Sequence, residues 1–169
     1  MNYFELFGIP VSLKVDTAKL NSTYFALQKK YHPDFHGNAS DVEKEEILEK
    51  SSAINKAWKI FKDADATIQY VLMEKGLLEE EEKYKLSQDF LMEMMELNEQ
   101  LMDAKMEEDL ASISNLRNQL NQLSNTIYAP VTEIVEHYKE GITTKEELLQ
   151  VKDCYYRKKY LKRILEGLG

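Results

Sequence analysis

The chain has 169 residues, a formal net charge of -8, 43% hydrophobic residues and 31% charged residues, a composition typical of a soluble globular protein with one domain or two small ones. No stretch is long and apolar enough to cross a membrane, and the first residues lack a basic targeting region, so we expect a cytoplasmic protein with no membrane partner. Acidic residues outnumber basic ones by 17 to 6 over residues 76–151. This segment would repel phosphates, which disfavours nucleic-acid binding.

Long stretches carry apolar residues at helical spacing and are interrupted by only three prolines and six glycines. We therefore predict an all-α fold. The single cysteine, Cys154, cannot form a disulfide within the chain or a cysteine-based zinc site, and it fits a reducing compartment as a small buried apolar residue. No cofactor is predicted.

Four helices are predicted in the first part of the chain. A short helix from Tyr3 to Phe7 is closed by Gly8. Asp16 is a good N-cap for the second helix, which ends near Tyr31. The third and fourth helices are predicted over about 41–61 and 65–76.

The connection between the second and third helices begins with His32-Pro33-Asp34. Pro33 lacks a backbone N–H and biases His32 away from helical angles, so the helix must end there. Asp34 then offers an exposed carboxylate that suits a partner's arginine. Lys29 and Lys30 give the loop a basic flank for an acidic partner surface, although plain solvation also explains them. Two antiparallel helices joined by this loop are typical of a J-domain; the alternative is an ordinary helix–loop–helix corner.

An enzyme would have to use His32, Asp34 and His36 as a metal or hydrolytic site. No second group of ligands accompanies these residues, no glycine-rich phosphate loop is present, and His137 lies far along the chain on an acidic helix. We therefore predict that the protein is not an enzyme and has neither catalytic nor metal-binding residues.

A change of composition near Gly76 predicts two domains. The charge run from Glu79 to Glu82 separates a first domain, residues 1–76, from a second, residues 85–169, with an acidic linker over 77–84. Three helices are predicted in the second domain, over about 85–105, 107–139 and 145–166. Pro130 should kink or break the middle one near Thr126. Thr144 and Glu147 form a capping box for the last.

The first helix of the second domain has two apolar faces. One face is a predicted core stripe, formed by Leu86, Phe90, Met94, Leu97 and Leu101. Leu91 and Met95 fall on another face, which Met92, Glu96 and Glu99 extend. A leucine–methionine patch edged by carboxylates is typical of a protein-binding surface, although burial of the helix on two sides is the alternative.

The last predicted helix adds aromatic residues to this picture. Tyr156 and Tyr160 point away from its core stripe, which consists of Val151, Leu161, Leu165 and Leu168. Aromatic residues off the core face favour interfaces. If this helix packs beside the leucine–methionine patch, Tyr156 could complete that patch as an anchor.

Segments in both halves of the chain resemble HscB-type J-proteins, the co-chaperones of iron–sulfur cluster assembly. The matching segments are Tyr3-Phe4-Glu5-Leu6-Phe7-Gly8, Gln28-Lys29-Lys30-Tyr31-His32-Pro33-Asp34, Ile54-Asn55-Lys56-Ala57-Trp58 and Asp89-Phe90-Leu91-Met92-Glu93. The resemblance implies an L-shaped molecule in which an N-terminal J-domain packs against a C-terminal three-helix bundle.

The resemblance also implies two protein partners. A DnaK/HscA-class chaperone would bind the loop and its basic flank and would be stimulated to hydrolyse ATP, through Lys29, Lys30, His32, Pro33 and Asp34. The scaffold protein IscU would bind the second domain through Leu91, Met92, Met95, Glu96, Glu99 and Tyr156. The alternative is a J-domain co-chaperone with an unrelated client.

Three positions depart from the pattern of these relatives. Ala64 and Thr67 stand where a proline and an arginine are frequent, which implies a looser hinge between the domains. Asn98 stands where a basic residue is frequent, which puts one charge contact with the client in doubt.

Overall fold

The computed structural model describes residues 2–167, and its regular structure is entirely helical. Two 3₁₀ turns, Pro33–Phe35 and Ala129–Val131, accompany eight α-helices in this range. The prediction of an all-α fold is confirmed. The helices are α1 (Tyr3–Phe7), α2 (Thr17–Tyr31), α3 (Asp41–Phe61), α4 (Ala64–Glu74), α5 (Gln88–Met106), α6 (Leu110–Tyr128), α7 (Thr132–Glu136) and α8 (Lys145–Glu166).

The chain forms two compact units. The first consists of Met1–Lys75 and Val135–Ile142, and the second of Gly76–Ile134 and Thr143–Gly169. Residues 135–142 lie within the range predicted for the second domain, whereas in the structure they belong to the first unit. No helix in the described range is long and apolar enough to cross a membrane.

Aromatic packing holds α1 against α3 and α4 in the first unit. The Phe4 and Phe7 rings are buried and lie 4.7 and 5.6 Å from the Phe61 ring, centroid to centroid. Tyr3 stacks on Tyr70 at 5.0 Å. Gly8 ends α1 with a φ of +64°, a left-handed conformation that glycine adopts without steric cost. This short helix therefore completes the base of the α2–α3 hairpin.

Local capping sets the ends of the hairpin helices. The Asp16 carboxylate accepts the N–H groups of Ala18 and Lys19, at 2.9 and 3.4 Å, so α2 begins where predicted. It ends at Tyr31 because His32 adopts an extended conformation (φ -68°, ψ 130°) before the proline. A capping box of Ser40 with Glu43, which was not among the predicted caps, starts α3.

Residues 135–142 are held in the first unit by polar contacts. Lys14 Nζ lies 3.4 Å from Glu136 Oε1, and Lys75 pairs with Glu140. Tyr138 is buried and its hydroxyl donates to the Glu140 carboxylate. The hydrogen bond from Lys75 holds the pKa of Glu140 below its usual value.

The second unit has a core shared by α5, α6 and α8. Four of the five residues predicted to form the α5 core stripe are buried, and Leu86 is half-buried beside them. On α8, Val151 and Leu161 are buried and Leu165 is half-buried; Leu168 lies outside the described residues. The core contains Phe90, Met94, Leu97, Leu101, Ala104, Leu116, Leu120, Leu161 and Ile164.

The prediction of a single helix over 107–139 is wrong, because this stretch contains α6, a 3₁₀ turn and α7. Pro130 cannot donate a hydrogen bond to the carbonyl of Thr126, and the α-helical geometry ends at Tyr128. The Thr132 hydroxyl donates to the carbonyl of Tyr128 at 3.2 Å. The break therefore lies about the proline itself, slightly beyond the predicted position.

Candidate functional site

The His32-Pro33-Asp34 segment forms a single 3₁₀ turn at the end of α2. The backbone N–H of Asp34 donates to His32 Nδ1 at 3.3 Å, and the backbone N–H of Phe35 donates to the His32 carbonyl at 3.0 Å. The Asp34 side chain is 85% exposed, and its Oδ2 lies 3.6 Å from His32 Nδ1. The turn thus uses the main chain of Asp34 and leaves its carboxylate facing solvent.

His36 closes the other side of the turn. Its Nε2 donates to the carbonyl of Lys30 at 2.7 Å, which satisfies one of the free carbonyls at the C-terminus of α2. Within residues 2–167, no group of three His, Cys, Asp or Glu side chains lies close enough together to hold a metal ion.

The basic flank of the loop includes Lys50 in addition to the two predicted lysines. Lys29 and Lys30 are both exposed. Lys30 Nζ lies 5.1 Å from the centre of the Tyr31 ring, and Lys50 Nζ of α3 lies 4.9 Å from it. The hydrogen bond with Lys30 lowers the pKa of Tyr31, and the charge of Lys50 adds to this effect. Lys50 could be recognised as part of this basic flank only from the packing of α3 against α2.

A polar and aromatic cluster fixes the hairpin below the loop. Trp58 of α3 stacks on Tyr24 of α2 at 4.4 Å with 15° between the ring planes, and its Nε1 donates to Asn21 Oδ1 at 3.0 Å. Asn55 Oδ1 accepts both the Tyr24 hydroxyl, at 2.9 Å, and Gln28 Nε2, at 2.7 Å. These contacts hold the two helices in one register and so orient the loop that joins them.

We expect Asn55→Ala to lower the free energy of unfolding by about 1–3 kcal/mol, because it leaves two half-buried donors without their acceptor. Urea unfolding followed by Trp58 fluorescence measures the effect. Lys56→Ala, an exposed change one residue along α3, should shift the free energy by less than about 0.5 kcal/mol. Equal stability of the two variants would contradict the assigned role of Asn55.

The leucine–methionine patch of α5 faces solvent in the described structure. Met92 and Met95 are 63% and 65% exposed, Glu96 and Glu99 are exposed, and Leu91 is half-buried. The patch lies on the side of α5 opposite its buried core residues. Burial of this helix on two sides, the alternative that periodicity left open, is not what the structure contains.

Tyr156 lies in the same groove as Leu91. This groove, of about 510 Å³, is lined mainly by tyrosine, leucine and basic side chains: Glu82, Lys83, Tyr84, Lys85, Leu86, Leu91, Tyr156, Lys159, Tyr160 and Arg163. Tyr156 is half-buried because its ring stacks on Tyr84 at 4.5 Å, with 7° between the planes. The structure therefore brings Tyr156 to the edge of the patch, as a partly covered residue.

The end of the predicted acidic linker forms one wall of this groove. Lys152 Nζ lies 3.0 and 2.9 Å from the two carboxylate oxygens of Glu82. The Tyr84 hydroxyl donates to Asp153 Oδ1 at 2.8 Å, and Asp153 Oδ2 accepts Arg157 Nε at 2.6 Å. Neither Glu82 nor Tyr84 is predictable as part of a site from the sequence, since their partners lie about 70 residues further along the chain.

Burial raises the pKa values of both stacked tyrosines to about 12, with the Asp153 hydrogen bond adding to the effect at Tyr84 and the Glu82 charge at Tyr156. Because the unfolded value is about 10, the unfolded state loses these protons first as the pH rises. We therefore expect the free energy of unfolding to fall between pH 10 and 12. Urea unfolding of the wild type and of Tyr84→Phe measures this fall, which should be shallower in the variant.

Tyr31→Phe provides the control for this titration, because the pKa of Tyr31 is lowered. Its removal should not make the fall shallower. A free energy of unfolding that stays constant or rises between pH 10 and 12 in the wild type would contradict the burial of the tyrosine pair.

The three departures from the family pattern have different environments. Ala64 and Asn98 are exposed. Thr67 is buried, with 1% of its surface exposed, and its hydroxyl lies within hydrogen-bond distance of the Ile60 and Asp63 carbonyls, at 3.0 and 2.8 Å. Thr67 thus ties the start of α4 to the end of α3.

Comparison with known proteins agrees with this architecture. Residues 86–169 match the family model described as the HSCB C-terminal oligomerisation domain. A co-chaperone HscB homologue of Vibrio parahaemolyticus is 31% identical over 150 residues, which is 88% of this chain and 80% of the relative. A homologue of Neisseria meningitidis is 34% identical over 127 residues, 75% of this chain and 76% of the relative. A homologue of Vibrio cholerae is 39% identical over 102 residues, and this match covers only 60% of either chain.

The fold is also similar to two solved structures. Chaperone HscB from Vibrio cholerae superposes with a TM-score of 0.78 at 26% identity, covering 99% of this chain and 95% of the other. Human co-chaperone HscB superposes with a TM-score of 0.82 at 27% identity, covering 99% and 80%. A helical hairpin with an exposed His-Pro-Asp turn, combined with a C-terminal helical domain, defines a co-chaperone of the J-domain class. Within that class, the chain belongs to the HscB co-chaperone family.

Proposed function

We propose that this protein binds the iron–sulfur scaffold protein IscU through its second unit and delivers it to a DnaK/HscA-class chaperone. The His32-Pro33-Asp34 turn stimulates ATP hydrolysis by that chaperone, and the combined action assists iron–sulfur cluster assembly and transfer. The chemistry takes place on the chaperone, and this chain acts as its activator. We place this activity in the cytoplasm.

The observation that carries the proposal is the exposed carboxylate of Asp34 on a turn that does not need it for its own hydrogen bonds. An exposed carboxylate on a rigid support can form a charge-assisted, bidentate contact with an arginine of the chaperone. Lys29, Lys30 and Lys50 lie beside the turn and would attract an acidic chaperone surface over longer distances. The turn supplies the specific contact, and the lysines raise the association rate.

Client binding, the second part of the proposal, depends on α5 and α8. Met92 and Met95 offer flexible apolar side chains that adapt to the surface of a partner. Glu96 and Glu99 are exposed beside them and would pair with cations of the client. Leu91 and Tyr156, which line one groove, give the interface a partly preformed anchor.

Carrying both binding sites on one chain has a simple consequence. A client held by the second unit is tethered near the chaperone that the first unit engages, so its effective concentration there rises. The two partners should therefore reinforce one another. A client unrelated to IscU would be tethered in the same way, but IscU would then not reinforce the action of the chaperone.

Steady-state ATP turnover by the chaperone tests the proposal, with this protein and IscU added separately and then together. A more-than-additive rise supports both the activation and the client. Stimulation without synergy retains the co-chaperone and rejects IscU as its client. No stimulation by this protein at all overturns the role given to His32-Pro33-Asp34.

A further inference from the structure

Exposed methionines continue along α5 well beyond the leucine–methionine patch. Met92, Met95, Met102 and Met106 are 63%, 65%, 58% and 83% exposed. We call these four residues the methionine stripe. Single exposed apolar residues are common on protein surfaces, but several that align on one face of a helix are typical of an interaction site.

The stripe is a straight band on the side of α5 opposite the core. At 100° per residue, the four methionines fall within a sector of about 80°, and its centre lies about 160° from the centre of the sector that holds the core residues. The stripe extends over 14 residue steps, which is about 21 Å along the helix axis. Its second half, Met102 and Met106, lies outside the leucine–methionine patch.

The spacing of the stripe fits another helix. The intervals between the methionines are three, seven and four residues, and Glu99 fills the one missing position of an a/d heptad pattern. A partner helix with apolar residues at the same spacing can pack along the whole band. A loop or a flat surface would not use this repeat.

The charges along the stripe indicate which helix fits. Glu96 and Asp103 lie on one edge, Asn98 and Lys105 lie on the other, and Glu99 lies within the stripe; all five are exposed. Carboxylates thus dominate the rim and the centre. A partner helix with lysine or arginine opposite them gains charge pairs along the interface, whereas an acidic helix is repelled.

We propose that the methionine stripe binds a basic amphipathic helix of the client protein, so that the client-binding surface extends to the C-terminal end of α5. This inference rests on the proposed function, in which α5 contacts the client. A second copy of the chain is a poor occupant, because Glu99 lies at the midpoint of the stripe. Two stripes in register, parallel or antiparallel, would place Glu99 against Glu99.

Two labelled peptides of about three heptads test the stripe directly, one with leucine at a and d and lysine elsewhere, the other with glutamate in place of lysine. Fluorescence anisotropy measures their binding to the full chain. We expect the lysine peptide to bind at least about tenfold more tightly than the glutamate peptide. Met102→Gln with Met106→Gln should weaken binding of the lysine peptide at least about tenfold, without changing the charge of the protein.

Leu48→Gln with Met73→Gln is the matched control, because both residues are exposed apolar side chains of the first unit. This control should bind the lysine peptide with wild-type affinity. Equal affinities in the wild type and the double methionine variant would overturn the proposal, as would no binding of the lysine peptide or equal binding of the two peptides. A dimer that sedimentation detects in the wild type and not in the methionine variant would also overturn it, since the occupant would then be a second copy.

A parallel titration with IscU separates this inference from the proposed function. If the wild type fails to bind IscU, the client assignment fails, and the peptide measurements still decide whether the stripe binds a basic helix. If the wild type binds IscU and the double methionine variant binds it equally well, the client stands and the extended surface is rejected.

Discussion

Asp34→Asn is expected to reduce the stimulation of the chaperone ATPase at least about tenfold, while the fold stays intact. The substitution removes the negative charge that would pair with an arginine of the chaperone. It retains the backbone N–H of residue 34, and this group, rather than the carboxylate, donates to His32 Nδ1. ATP turnover by the chaperone measures the loss of stimulation, and thermal unfolding of the variant tests the fold.

The control for this variant is Glu74→Gln, which neutralises another exposed carboxylate, at the end of α4. Its stimulation should equal that of the wild type, since it lies outside the turn and its basic flank. A large drop in the melting temperature of Asp34→Asn would show that the carboxylate supports the fold. Full stimulation by a folded Asp34→Asn protein would remove Asp34 from the proposed contact.

Combined substitution of Leu91, Met92 and Met95 by alanine is expected to weaken IscU binding at least about 100-fold, because each substitution removes apolar contact from the proposed client-binding surface. Stimulation of the chaperone without client should not change, since the turn lies in the other unit. Isothermal titration with IscU measures the binding, and ATP turnover without IscU measures the basal stimulation.

Met73→Ala on α4 is the matched control, as Met73 is also an exposed methionine but belongs to the first unit. It should bind IscU like the wild type. Of the three substituted residues, only Leu91 is half-buried in the free protein. A Met92→Ala, Met95→Ala double variant therefore keeps the test valid if the triple variant is unstable. IscU affinity equal to that of the wild type in both variants would reject the patch as the client site.

The helix ends were predictable because they depend on neighbouring residues. Asp16 caps α2, and the Thr144–Glu147 capping box starts α8. Pro33 ends α2 by removing a donor and restricting His32. The same reasoning predicted that Pro130 kinks or breaks the helix near Thr126, but it treated α6 and α7 as one helix. Local rules locate an interruption but do not show whether a helix continues at an angle or changes into a 3₁₀ turn.

The two faces of α5 illustrate a different limit. Periodicity identified the core face and a second apolar face, and both are present. It did not show that the second face is exposed, because a repeat of 3.6 residues describes the direction of a side chain and not what covers it. The exposure of Met92 and Met95 became known only from the packing of the three helices.

The sequence by itself thus determined the all-α class, most helix ends, the His32-Pro33-Asp34 turn and the family. These features depend on hydrophobic periodicity, on capping and on backbone geometry, all of which act within a few residues. Only the tertiary structure decided that Glu82 pairs with Lys152, that Tyr84 covers Tyr156, that Lys50 joins the basic flank, and that residues 135–142 belong to the first unit. Each of these contacts joins residues distant in sequence, and their formation depends on how the helices pack rather than on any local pattern.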